Sequence, residues 1–280
     1  MSTARGISLH IGVNFLDEQH YSPNWITLPA CENDADTIRD IASQQGFETH
    51  QLKTVKATRE AVKSKILDIA GQLSKGDFFL LSYSGHGGQI PDKTGDETGP
   101  KKMDDTWCLY DGQQLDDELH QFLAEFRPGV RVLVLSDSCY SGTILKDGMA
   151  TGPRQEVAEE EKSFSKSIPK SVARGTFKQN KPFYLGVQAK AKLPKEVVAS
   201  VKLLSGCLET EESYCNKNTS YFTQALKNAF NNGAFKGSYD ELLTEITRTI
   251  RKTTLGPQTP GKMRQGPVDP AFEEGPPFKI

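Results

Sequence analysis

Nowhere in this 280-residue chain is there an apolar run near the roughly 20 residues that cross a bilayer. The amino-terminal stretch MSTARGISLHIG lacks the long apolar core and small-residue cleavage site of a secretory signal. Both absences predict a cytoplasmic protein with no membrane contact. An excess of basic charge is missing too. Lys and Arg number 34 against 36 Asp and Glu, leaving a net charge of −2. No positive field therefore points to nucleic acid. Cysteine is scarce: five residues, at 31, 108, 139, 207 and 215. An odd number with no C-x-x-C pair disfavours both a disulfide framework and structural zinc. G-x-S-x-G and G-x-x-x-x-G-K-[ST] do not occur, which disfavours an elbow-type serine hydrolase and a P-loop nucleotide site. There is no internal repeat.

What is present is an alternation of short apolar runs and helical patterns. Residues 7–13 read as a first strand and 14–29 as loop. Residues 33–43 carry Ala35, Ile38, Ile41 and Ala42 at helical spacing, with Gly46 as a stop. Residues 47–55 suit a second strand, and 58–73 a helix opened by Thr58 as N-cap. Residues 77–84 (DFFLLSYS) read as a third strand, followed by Gly85-His86-Gly87-Gly88. This βαβαβ order predicts an α/β fold with a mostly parallel central sheet and helices on both faces. Residues 89–102 are polar, punctuated by Gly and Pro, and read as loop. Residues 115–126 suit an amphipathic helix, 197–204 a strand, and 221–230 and 239–251 helices. The tail from 256 to 280 reads as extended over the surface.

The organising stretch is VRVLVLSDSCYSG, residues 130–142. Seven mostly aliphatic residues run into a small, polar turn, the pattern of a buried strand ending at a loop. Cys139 therefore stands just beyond a strand's carboxyl end, where open α/β sheets carry out chemistry. His86 stands in the same relation to the 77–84 strand. If those strands are neighbours, a thiol and an imidazole share one cleft, the pairing that makes a thiolate nucleophile. Asp137 lies two residues before the thiol. A second carboxylate beside it would attract Lys or Arg side chains.

These residues resemble a known family. Ser84-Gly85-His86-Gly87 together with Asp137-Ser138-Cys139-Tyr140-Ser141-Gly142 is similar to the caspase-like cysteine peptidases, specifically metacaspases and their orthocaspase relatives. Cys139 follows His86 by 53 positions, near the spacing of about 50 typical of caspase-type enzymes. Cys31-Glu32-Asn33-Asp34, Met103-Asp104-Asp105, Leu115-Asp116-Asp117-Glu118-Leu119 and Leu204-Ser205-Gly206-Cys207 follow in family order. The resemblance implies a caspase-like three-layer sandwich and an endopeptidase cutting after Arg or Lys. It implies Cys139 as nucleophile, His86 as acid and base, and the backbone N–H groups of Gly87 and Cys139 as oxyanion hole. No third triad member is apparent. Asp137, Asp34, Ser84 and Cys31 are implied to line the pocket for the basic side chain.

No cofactor is needed for this chemistry. The resemblance does implicate Ca²⁺ as an activator at Asp104, Asp116, Asp117 and an aspartate after the nucleophile. Here Lys146 occupies the matched position, with Asp147 next. Hard oxygens suit calcium, and the same acids, with Asp96, Glu97 and Asp105, equally suit a solvated surface. Residues 146–181, rich in Lys, Glu, Ser and Gly, read as an exposed linker between a part at 1–145 and a part at 182–280 that completes the sheet. A peptidase for basic residues would cut that linker itself, after Lys146, Arg154, Lys162, Lys166, Lys170, Arg174 or Lys178. The expected partners are peptide substrates, with the enzyme a monomer. Two rivals remain: a catalytically silent interaction module of the same fold, and another Cys-His peptidase of legumain or gingipain type.

Overall fold

The computed structural model describes residues 4–92, 103–139, 163–191, 195–208, 211–253 and 257–280. Six strands form the central sheet: β1 (Gly6–Gly12), β2 (Glu48–Lys53), β3 (Phe78–Ser84), β7 (Arg131–Asp137), β9 (Ser200–Ser205) and β11 (Gly261–Gln265). Their order is β11-β9-β7-β3-β1-β2. All neighbours run parallel except β11 against β9. A strand covered on both faces needs apolar residues on both, so β3 reads FFLLSYS without polar alternation in its first half.

Helices cover each face. On one side Ile38, Ile41 and Ala42 of α1 (Cys31–Gln44) meet Phe78, Leu80, Leu133 and Leu135 of β3 and β7. Helices α6 (Tyr221–Phe230) and α7 (Tyr239–Thr253) complete that layer. On the other side Val62, Ile66 and Ile69 of α2 (Arg59–Gln72) and Leu119 and Phe122 of α3 (Asp116–Leu123) pack on Phe79, Leu81, Val132 and Val134. Thr58 caps α2 as expected, its hydroxyl accepting the Ala61 N–H at 3.2 Å. This is the three-layer α/β sandwich expected. Among the described residues no helix is long and apolar enough to cross a membrane.

Three expectations are corrected. Residues 89–91 are not loop: β4 (Gly87–Pro91) pairs with β5 (Met103–Leu109), and β6 (Gly112–Leu115) joins it in a small antiparallel sheet. The tail is not draped outside. β11 closes the sheet edge, and α8 (Pro270–Glu274) buries Phe272 beside Phe78, with Phe278 also in the core. The described part of the supposed linker, from 163 onward, is ordered. It forms β8 (Phe164–Ser165), α4 (Lys170–Gln179) and the start of α5 (Lys181–Ala191). Average composition concealed a local pattern there: Ile168, Val172, Ala173 and Thr176 are buried at helical spacing under exposed Lys170, Arg174 and Lys178.

Candidate active site

Ser84 and Asp137 are register partners at the carboxyl ends of β3 and β7. His86 and Cys139 each lie two residues further on, so the topology delivers both to one sheet edge. The approach there is tight. A methyl on Gly87 would overlap the Cys139 carbonyl, so only glycine lets the two backbones meet.

His86 is buried, and its Nε2 stands 2.5 Å from the Ile26 carbonyl. A carbonyl can only accept, so Nε2 carries the proton and Nδ1 is the basic nitrogen. Burial lowers the ring to about 4, although the Ile26 and Lys166 carbonyls favour its charged form. Ile26 supplies the orienting group that the sequence did not reveal: a backbone acceptor on the loop before α1 has no side-chain signature. The Cys139 thiol is buried as well and lies against Ser213. Ser213 N–H donates to Sγ at 3.2 Å. Cys207 lies alongside, its own thiol pushed well up, first by the hydrogen bond with Cys139 and then by burial.

Asp34 and Asp137 stand together beneath this edge. Asp137 accepts Ser213 Oγ at 2.7 Å on Oδ1 and Thr223 Oγ1 at 3.2 Å on Oδ2. Asp34 accepts Ser84 Oγ at 2.7 Å, Ser220 N–H at 2.9 Å, Thr219 Oγ1 at 3.0 Å and the Ser220 hydroxyl. Ser220 sits at the N-cap of α6, yet its hydroxyl caps nothing in the helix and goes to Asp34 instead. Ser213, Thr219 and Thr223 are likewise pocket residues that sequence reasoning missed. Cys31 is fully buried at the start of α1, its thiol raised mainly by burial.

One side chain fills the acidic hollow. Lys166 is completely buried, with Nζ 3.0 Å from Asp137 Oδ2 and 3.5 Å from Asp34 Oδ2. It donates to Ser84 Oγ at 2.8 Å and to the Asp137 carbonyl at 2.9 Å. Burial opposes its charge, but Asp137, Cys31 and Asp34 outweigh that and hold the ammonium above its ordinary range. Burial and the like charge of Asp137 in turn push the Asp34 carboxyl up against the pull of Lys166. A cavity of about 10 Å³, room for one water, lies against the two carboxylates, lined by Asp34, Ser82, Ser84, Asp137, Phe222 and Thr223. The Lys166 backbone is held too. Gly87 N–H donates to its carbonyl at 2.8 Å, and its own N–H donates to Ser213 O at 2.9 Å. So Lys166, expected as an exposed cleavage site, is the least exposed of the linker lysines described. Lys170, Arg174 and Lys178 lie on the outer face of α4, while Lys146, Arg154 and Lys162 fall outside the described residues.

A caspase-domain family model matches residues 5–271. The chain belongs to the caspase-domain family. Among its caspase-domain relatives, Metacaspase-1 of Kluyveromyces lactis is 32% identical over 158 residues, 51% of this chain and 35% of that protein. Metacaspase-1B of Aspergillus fumigatus matches likewise, over 37% of its length. The chain thus spans little more than a third of the curated relatives it matches. A solved structure from Geobacter sulfurreducens covers 99% of both chains at 40% identity, with a TM-score of 0.84. Caspase-1 from Spodoptera frugiperda, at 14% identity and a TM-score of 0.56, shares the fold.

The aspartates expected to bind Ca²⁺ lie on two neighbouring elements. Asp104, Asp105, Asp116 and Asp117 are all buried, on β5 and the first turn of α3. Gln188 donates to Asp104 at 2.6 Å and Gln89 to Asp105 at 2.8 Å. Among the described residues no three His, Cys, Asp or Glu stand where they could hold one metal ion. Asp147, Asp96 and Glu97 lie outside the described residues. The described carboxylates do not make a calcium site by themselves.

Proposed function

We propose that this chain is a cysteine endopeptidase that cuts after Lys or Arg and that its first substrate is its own Lys166–Ser167 bond. The observation that carries this is the pose of Lys166: ammonium on two carboxylates, carbonyl on the Gly87 N–H, beside Cys139. A peptide poised for acyl transfer needs its basic side chain anchored and its carbonyl oxygen on a donor that strengthens as negative charge develops.

In this reading the Cys139 sulfur leaves Ser213 and attacks the Lys166 carbonyl carbon. His86 Nδ1 takes the thiol proton, because Nε2–H is committed to Ile26. The oxyanion rests on the backbone N–H groups of Gly87 and Cys139. The histidine then protonates the departing Ser167 amine and activates the water that hydrolyses the acyl-enzyme. After the cut, Ile168 stays anchored by its N–H on Gly87 O at 2.9 Å and by its buried side chain. The two fragments therefore remain together, as one monomer.

The test is amino-terminal sequencing of the purified protein, with hydrolysis of Lys-, Arg- and Asp-ended fluorogenic peptides in the presence and absence of Ca²⁺. The expected result is a fragment starting at Ser167 and cleavage of the basic peptides, both lost in Cys139→Ala. Preference for Asp-ended peptides overturns the pocket assignment. An intact chain that neither cuts peptides nor reacts with a thiol-directed peptide probe establishes a silent interaction module instead. A dependence on Ca²⁺ would extend the acidic group to residues beyond those described.

A further inference from the structure

The segment that enters the site brings more than its lysine. Phe164 and Ser165 form an antiparallel pair with β10 (Tyr214–Cys215), Ser165 opposite Tyr214 and Phe164 opposite Cys215. Together with the Lys166 N–H on Ser213 O, this makes residues 213–215 a backbone template for three consecutive residues. Strand alternation sends Phe164 to the same side as Lys166. There it packs on a small cluster of its own: Leu28, Ala30, Cys31 and Cys215, each with no exposed surface. Leu28 and Ala30 belong to the same loop whose Ile26 carbonyl holds His86. The cluster is separate from the two large cores of the sheet. Downstream, Ile168 belongs to one of those cores and is part of the fold. Phe164 is half-buried and sits at the end of a two-residue strand, so it is the seat that a different peptide can take over.

We propose that Leu28, Ala30, Cys31 and Cys215 form a specificity subsite for a large apolar side chain two positions before the basic residue. The substrate class is then a protein with an exposed aromatic-x-Lys or aromatic-x-Arg segment in extended conformation. Template and side-chain seats act together: residues 213–215 fix the register, and the register aligns the aromatic ring with its floor. This inference rests on the function proposed above and adds a second determinant to it.

The experiment compares kcat/KM of the self-processed enzyme on three acetylated tripeptide coumarylamides: Phe-Ser-Lys, Ala-Ser-Lys and Asp-Ser-Lys. Placing an aromatic ring on an apolar floor favours the Phe peptide over the Ala peptide by roughly tenfold or more, with Asp lowest. Leu28→Asn lowers that ratio toward one. Since Leu28→Asn risks misfolding, the wild-type ratio decides the matter without it. Equal rates on Phe and Ala peptides overturn the subsite and leave the basic pocket standing. Cleavage of none of the three overturns the pocket and the subsite together.

Discussion

The Lys166 ammonium and the Asp137 carboxylate stand 3.0 Å apart with neither group open to solvent. A buried pair of this kind is costly to break from one side, because the remaining charge is left without compensation, at about 3–5 kcal/mol. Lys166→Gln is therefore expected to lower the melting temperature by several degrees and to leave the chain uncut at 166. The same change removes the cation from the acidic hollow. The uncut variant should hydrolyse basic peptides in trans faster than an uncut Cys139→Ala control, and small guanidinium compounds should restore part of its lost stability. A variant as stable as wild type and as closed to peptides would show that Lys166 does not occupy the working pocket.

Gly87 is expected to tolerate no side chain. Gly87→Ala forces the Cys139 backbone away and shifts the N–H that faces the Lys166 carbonyl. Loss of one oxyanion donor typically costs about 10²–10³ in rate, and kcat should fall by at least that while KM changes little. Circular dichroism would separate this loss from unfolding.

Two buried histidines predict how stability responds to acid. Burial lowers His86 to about 4 and, with Arg39 and His50 nearby, His10 to about 3. His10 is enclosed by Ser82 at 2.8 Å and Ser8 at 2.9 Å. Between an unfolded value near 6.5 and these folded values, the unfolded chain binds protons that the native chain refuses. Stability must therefore fall as pH drops from about 6.5 toward 4, by up to about 1.4 kcal/mol per pH unit for each ring. Urea midpoints measured across that range should flatten by one proton's worth in His10→Asn. A midpoint that stays constant below pH 6 in the wild type would contradict the burial of both rings.

The tail is expected to be a structural clasp. Lys202 of β9 is buried with Nζ 4.5 Å from the Tyr239 ring and 5.0 Å from the Phe272 ring, and 3.0 Å from Glu273. Lys202→Ala removes cation–π contacts of about 2 kcal/mol or more and leaves Glu273 without its closest cation. The variant should melt lower and expose the 261–280 segment to limited proteolysis, with peptide hydrolysis retained below the melting point.

Much of this was readable in advance from local pattern. The strands at β3 and β7, the capped helix α2 and helices α6 and α7 announce themselves through runs and spacings of nearby residues. So do His86 and Cys139, because a strand end followed by glycine or serine is a local feature. β4, β6 and α4 were not readable. Each is short, and each is held by partners remote in sequence, such as the Gly87–Trp107 pairing and the seat of Ile168. The Ile26 carbonyl was unreadable for another reason, since every residue has one.

By itself the sequence pointed to the class of chemistry: a thiol, an imidazole and one carboxylate at the ends of buried apolar runs, with a second carboxylate in the first turn of a helix, whose type follows from residues a few positions apart. Only the tertiary structure decided that Lys166, read as one exposed linker cation among seven, lies buried against Ser84, 82 positions away. The reason is physical. A charge enters a low-dielectric interior only where opposite charges and hydrogen-bond acceptors are already gathered, and that gathering exists only once β3, β7, α1 and α6 have packed together.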